Sequence, residues 1–264
     1  MLKFIKFTLL LLVGLYLLIC GYMFTQQKNM LFIPVPEDPA YTAQFKHSRF
    51  DIDIDGFKLH GWMQHSIGTQ EKPFVIYYGG NAEEVSHHQT WFAAHGISDY
   101  LLMNYRGYGK SSGAPSEAAL KSDALAIFDH VVNTLGVSPQ RVVLMGRSLG
   151  SGIASYVASE REVAKVVLIT PYDSIASVAQ GYYPWLPVSL IMTERFDSLT
   201  LAPNIDEPVL CLIAETDRIV PTQHARRLCS AWKGPDQQVV IPASDHINIV
   251  SKPEFKHRVK TFLN

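Results

Sequence analysis

Gly146-Arg147-Ser148-Leu149-Gly150 has the pattern G-x-S-x-G. A buried-type strand, RVVLM, runs into it, and a helix of small residues, GSGIASYVAS, runs out. That is the strand, sharp turn and helix of a nucleophile elbow, in which a strained serine presents its hydroxyl and small neighbours let adjacent chains approach. A serine hydroxyl is a poor nucleophile at neutral pH. It needs a general base within hydrogen-bond reach and a third group that fixes the base's tautomer.

In elbows of this kind the partners come in the order Ser, Asp or Glu, His. Asp217 comes three residues after the apolar run PVLCLIA, and His246 comes after the next apolar run, QVVIP. Both therefore sit on loops at the carboxyl ends of strands, the edge where Ser148 is expected. Asp173 also comes after a strand and competes for the acid's role, and Glu215 stands closer to the strand end; the loop of Asp217, before a Pro-initiated helix, favours Asp217. Of ten histidines, seven precede the elbow, from His47 to His130, while His224 and His257 fall on helices, which leaves His246 as the base. The oxyanion of a tetrahedral intermediate needs backbone N–H donors. Leu149, directly after the serine, supplies one, and the turn Gly79-Gly80-Asn81-Ala82 after an early strand supplies the other, with Asn81 as the donor. The same glycines also suit a plain strand-to-helix turn. This chemistry calls for no metal and no cofactor.

Unbroken apolar runs at 73–78, 100–104, 141–145, 163–170, 208–214 and 238–241 read as strands covered on both faces. Helices are expected at 83–95, 116–135, 149–159, 222–232 and 252–263, with Ser116 and Gly136 as stops of the second. Strands alternating with helices predict an α/β fold with a mostly parallel sheet. The alternating segments 50–54 and 57–65 around Asp55-Gly56 read as an antiparallel hairpin at its edge. Residues 172–204, rich in Tyr, Trp and Pro, form an insertion too long for a simple connection and are read as a cap. Its Tyr182, Tyr183, Trp185, Leu186 and Ile191 either line an acyl pocket or form the packing of the cap itself.

The amino terminus is of another kind. Phe7 to Phe24 is an eighteen-residue stretch without a charge, preceded by Lys3 and Lys6, long enough to cross a bilayer. It exceeds the apolar core of a cleavable signal and lacks a small-x-small cleavage site, so residues 1–24 are read as an uncleaved anchor. The two lysines place the terminus in the cytoplasm and the rest on the other side. Residues 25–49, with Pro34, Pro36 and Pro39, form a connector, and 50–264 the catalytic domain. Cys20 falls within the anchor; Cys211 and Cys229 read as two buried thiols, or as one bridge. With 23 Lys+Arg against 24 Asp+Glu there is no basic stripe for a phosphate backbone, and nucleic acid is excluded as a partner.

Taken together, GGNAEE, NYRGYGKSSGAPSE, GRSLGSG and the ETD and SDH loops resemble the α/β-hydrolase superfamily over residues 50–264, and more narrowly its membrane-anchored serine hydrolases, which include protein depalmitoylases and lipid hydrolases. The resemblance implies a triad of Ser148, Asp217 and His246. Tyr78-Gly79 stands where relatives often carry a histidine before the Gly-Asn pair, and the cysteine-rich amino terminus of the depalmitoylases is replaced by the apolar span. The expected function is hydrolysis of carboxylic esters or thioesters, with a small-molecule or lipid acyl substrate. An amide or peptide hydrolase, and a non-catalytic binding protein that keeps the fold, are the alternatives.

Overall fold

The computed structural model describes residues 1–66 and 72–264. Its strands are β1 Arg49–Ile54, β2 Phe57–Gln64, β3 Phe74–Tyr78, β4 Tyr100–Met103, β5 Val142–Arg147, β6 Lys165–Ile169, β7 Val209–Ala214 and β8 Asp236–Ile241. They form one sheet in the order β1-β2-β4-β3-β5-β6-β7-β8. β1 and β2 pair antiparallel, as do β2 and β4, and every other pairing is parallel. The expected sheet and edge hairpin are thus present. Asp55 and Gly56 turn the hairpin at φ 51° and 79°, the two positive values of a type I′ turn.

The helices are α1 Leu2–Leu31, α2 Pro39–Gln44, α3 His88–Ala94, α4 Glu117–Asn133, α5 Leu149–Glu160, α6 Ile175–Tyr182, α7 Val188–Ile191, α8 Thr222–Ser230 and α9 Pro253–Leu263. Alternate residues of each central strand serve opposite faces. Phe74, Ile76 and Tyr78 of β3 share a core with Phe128 of α4, Ile153 of α5 and Leu228 of α8. Val75 and Tyr77 share the other with Phe92 of α3 and Phe255 and Val259 of α9. Strands buried on both faces explain the unbroken apolar runs of β3 to β7; the run 238–241 is the exception, because β8 is the sheet's edge strand and is only partly buried.

Three local expectations change. The helix expected from residue 83 starts at His88, because Glu83 and Glu84 turn their carboxylates inward: Glu84 accepts from Asn104 Nδ2 at 2.8 Å, and residues 85–87 make only a 3₁₀ turn. The apolar helix does not end at Phe24 but runs to Leu31, since no helix breaker occurs before Pro34. The rest of the connector is tied to the domain by Phe32, which is buried, by Gly109 N–H donating to Val35 C=O at 2.8 Å, and by Glu37, whose carboxylate meets His60 at 3.0 Å. The insertion 172–204 is less irregular than its composition suggests, for Ser174 caps α6 through the Ser177 N–H at 3.0 Å and α7 comes after it.

Of the two readings of the cysteines, the structure has the bridge. Cys211 of β7 and Cys229 of α8 are disulfide-bonded, their Cα atoms 6.5 Å apart, because α8 folds directly back over the strand that precedes it. Denatured without reductant, the chain should take up one alkylating group, on Cys20, and three after reduction, read by intact-mass measurement. Replacing both bridged cysteines by alanine should lower stability by about 2–4 kcal/mol.

Candidate active site

Three loops at the carboxyl edge of the sheet converge. Ser148 comes directly after β5 with φ 48°, a left-handed value that a non-glycine residue adopts only under constraint. The constraint is visible: its N–H donates to Ile169 C=O at 2.9 Å, and its C=O accepts from the Ser151 N–H at 2.8 Å and hydroxyl at 2.6 Å. A Cβ at Gly150 would overlap the backbone carbonyl of Tyr78, so only glycine lets α5 start so close to β3.

His246 Nε2 lies 2.9 Å from Ser148 Oγ, and His246 Nδ1 lies 2.7 Å from Asp217 Oδ2. The other oxygen of Asp217 accepts the N–H groups of Ile219 at 2.9 Å and Val220 at 2.8 Å, which fixes the carboxylate's orientation. The loops of Asp217 and His246 are joined by Thr216, whose N–H and hydroxyl both donate to Ser244 C=O at 2.9 Å. Ser148, Asp217 and His246 are therefore brought into one hydrogen-bonded line. Asp173 is not part of it: its carboxylate is buried against His224 Nδ1 at 2.9 Å and Arg227 at 2.5 Å. Glu215 turns away to accept the Ala243 N–H at 2.8 Å.

A cavity of about 380 Å³ opens over Ser148, lined by Ile33, Asn81, Arg147, Ile219, His246 and Ile247 among others. Leu149 adjoins the serine and Asn81 lines the same cavity, and the N–H of neither donates to another group among the described residues. The Asn81 side chain is engaged elsewhere. Its amide donates to Leu31 C=O, and its Oδ1 accepts the Ile33 N–H at 3.1 Å and the Tyr108 hydroxyl at 2.9 Å, so it grips the end of α1. A larger hollow of about 450 Å³ lies at the amino ends of β5, β6 and β7, away from these groups.

The sequence reading missed Glu83 and Arg147, which join the turn after β3, the elbow and the His246 loop. Glu83 Oε2 accepts the Gly80 N–H at 2.7 Å and the Tyr77 hydroxyl at 2.9 Å and lies 3.2 Å from His88 Nε2; Oε1 is paired with Arg147. Arg147 in turn donates to His246 C=O at 3.1 Å. Burial pushes the Glu83 carboxyl up, but His88, the Arg147 guanidinium and the Gly80 N–H outweigh it and hold the group well below the usual carboxylate range. Burial, and then the Glu83 charge, push the Tyr77 hydroxyl well up, so it remains a donor. The signal was present in the G-x-S-x-G motif, whose first variable position is a charged residue next to a buried strand.

The aromatic insertion does not line the cavity over Ser148. Leu186 packs with Ala176 and Val188 inside the cap, and Tyr183, Leu186 and Ile191 border a separate apolar cavity of about 180 Å³ between the cap and α1.

The family profile described as alpha/beta hydrolase fold matches residues 72–191. An uncharacterized protein of Mycobacterium tuberculosis is 31% identical over 230 residues, covering 85% of this chain and 82% of its own length. The alpha/beta hydrolase domain-containing protein WAV2 of Arabidopsis thaliana is 23% identical over 84% of this chain and 82% of its own. The structure of the Pyrococcus furiosus esterase Pf2001 superimposes with a TM-score of 0.67 at 21% identity, covering 88% of this chain and 97% of that one. With the sheet order, the elbow after β5 and a relative matched along most of both sequences, the chain belongs to the alpha/beta hydrolase family.

Proposed function

We propose that this chain is a membrane-anchored serine hydrolase that cleaves carboxylic ester or thioester bonds through an acyl-enzyme on Ser148. The observation that carries the reading is the line Asp217–His246–Ser148, at 2.7 and 2.9 Å, beneath an open cavity. His246 takes the proton of Ser148 as Oγ attacks the carbonyl carbon, and Asp217 stabilises the imidazolium. The N–H groups of Asn81 and Leu149 receive the oxyanion. On collapse of the intermediate the leaving alcohol or thiol departs with the proton from His246. Water, deprotonated by the same imidazole, then attacks the acyl carbon and frees the acid and Ser148. The esterase named among the structural neighbours supports the ester class.

Two observations support the membrane assignment. α1 is long and apolar enough to cross a bilayer, with none of its apolar window buried. The Cys211–Cys229 bridge suits an oxidising compartment, which agrees with a domain on the non-cytoplasmic side.

A fluorophosphonate probe tests the chemistry. Wild type should be labelled and Ser148→Ala should not. An unlabelled wild type, beside a control serine hydrolase that reacts, would leave a binding protein with the hydrolase fold as the better account.

A further inference from the structure

The large apolar side chains exposed outside α1 are not scattered. From residue 32 onward the described residues expose eight, and seven fall into two groups. Tyr182, Tyr183, Trp185 and Leu190 stand on the end of α6, the adjoining turn and α7, with Leu190 83% exposed and Trp185 54%. Ile33, Ile219 and Ile247 line the cavity over Ser148. The groups are joined, because the Tyr182 hydroxyl donates to the carbonyls of Arg218 and Ile219. An apolar patch continuous with a functional cleft marks a surface for an apolar partner.

The neighbour of the first group identifies that partner. The Tyr16 hydroxyl donates to Trp185 C=O at 3.0 Å, Ile19, Cys20 and Met23 pack on the cap, and Gln27 bonds Ile191 C=O at 3.2 Å and Thr193 N–H at 2.7 Å. Tyr16 precedes Phe24, the end of the apolar run, by eight residues, or about 12 Å along a helix axis. A turn bonded to Tyr16 therefore shares the depth of a helix segment that lies in lipid. Its chemistry fits that depth. No charged side chain occurs from Ser174 to Thr193. Five carbonyls that a surface turn would leave to water are met by side-chain donors: Tyr183 and Leu186 by Gln180, Trp185 by Tyr16, Ser189 by Arg195 and Ile191 by Gln27. Backbone groups in hydrocarbon require such partners, and Trp and Tyr favour the lipid–water boundary.

We infer that the segment Tyr182–Leu190 is a second membrane-contact element, seated in the leaflet beside α1. It sets the mouth of the Ser148 cavity against the bilayer, so that the substrate is an acyl lipid of the same membrane. The contact rests on reading α1 as an anchor, and the substrate class on the hydrolase reading of the site.

The test uses the full chain in phosphatidylcholine vesicles with brominated acyl chains. Trp62 and Trp232 are buried and Trp91 is half-buried, which leaves Trp185 as the exposed tryptophan. Bromolipid should quench a fluorescence component in wild type that Trp185→Phe lacks; equal quenching in the two would overturn the contact. In the same vesicles Leu190→Asp should slow cleavage of an embedded long-chain acyl ester by about tenfold and leave a soluble short-chain ester within about twofold, since Leu190 lies outside the cavity. Equal rates on the embedded ester, or equal losses on both esters, would overturn the mouth-to-bilayer geometry. A wild type inert toward both esters would instead defeat the hydrolase reading, and the quenching result would still stand or fall by itself.

Discussion

His246→Ala should lower turnover of a soluble ester by about 10⁶-fold, with the melting temperature nearly unchanged. Among the described residues, the proposed base is the one group that hydrogen-bonds the Ser148 hydroxyl, at 2.9 Å, and without it the proton has no acceptor as Oγ attacks. Asp217→Asn should cost about 10⁴-fold by a different route. An amide facing Nδ1 through its NH₂ favours the tautomer with the proton on Nε2, which cannot accept from serine. Asp173→Asn separates the two acids. Its carboxylate serves His224 and Arg227, not His246, so turnover should stay within about tenfold of wild type while stability falls. Steady-state rates on a chromogenic ester, alongside thermal unfolding, read all three. Near-normal turnover in Asp217→Asn would remove Asp217 from the mechanism.

The second large effect concerns a residue that does not touch the serine. Glu83→Ala should destabilise the fold by about 3–5 kcal/mol, because it leaves the Arg147 guanidinium buried without its partner. It should also lower kcat by about 10²-fold, since the turn bearing Asn81 loses the carboxylate that holds the Gly80 N–H. Glu83→Gln keeps an acceptor for Gly80 and removes the charge, and should recover part of kcat and little of the stability. The same pair gives a pH signature. The folded carboxyl is held below its ordinary range, so its contribution is complete above the unfolded pKa and is lost as pH falls toward the folded one. Chemical unfolding from about pH 5 to pH 3 should therefore show a steeper loss in wild type than in Glu83→Gln. Parallel slopes would remove the charge from the account.

Range explains why some of this was legible and some was not. The strands were readable because β3, β5, β6 and β7 are covered on both faces, which forces unbroken apolar runs. That Ser148, Asp217 and His246 meet was readable because each comes at the carboxyl end of a strand that reads as an apolar run, β5, β7 and β8, although β8 is an edge strand only partly buried. The order β4-β3-β5 was not, since apolar runs say nothing about which parallel strand lies beside which. Glu83 and Glu84 look like a solvated first helical turn until Arg147 and Asn104 are known to stand behind them. The cysteines posed the same difficulty: their neighbours were legible as core, but contact depended on how α8 lies on β7. Thr25 to Leu31 is polar enough to resemble a linker, and only its contacts, Gln27 with Ile191 and Thr193 and Lys28 with Glu194, reveal a helix.

Asn81 gives the grip on the end of α1 a practical meaning. The residue proposed to present an amide to the substrate also clasps Leu31 and Ile33 with its side chain. A truncated form that keeps the clasp should therefore begin no later than about Thr25, which retains the last turns of α1. Trimming to Phe32 would remove the stretch proposed to lie in lipid and, with it, the Leu31 carbonyl that braces the Gly80–Asn81 turn.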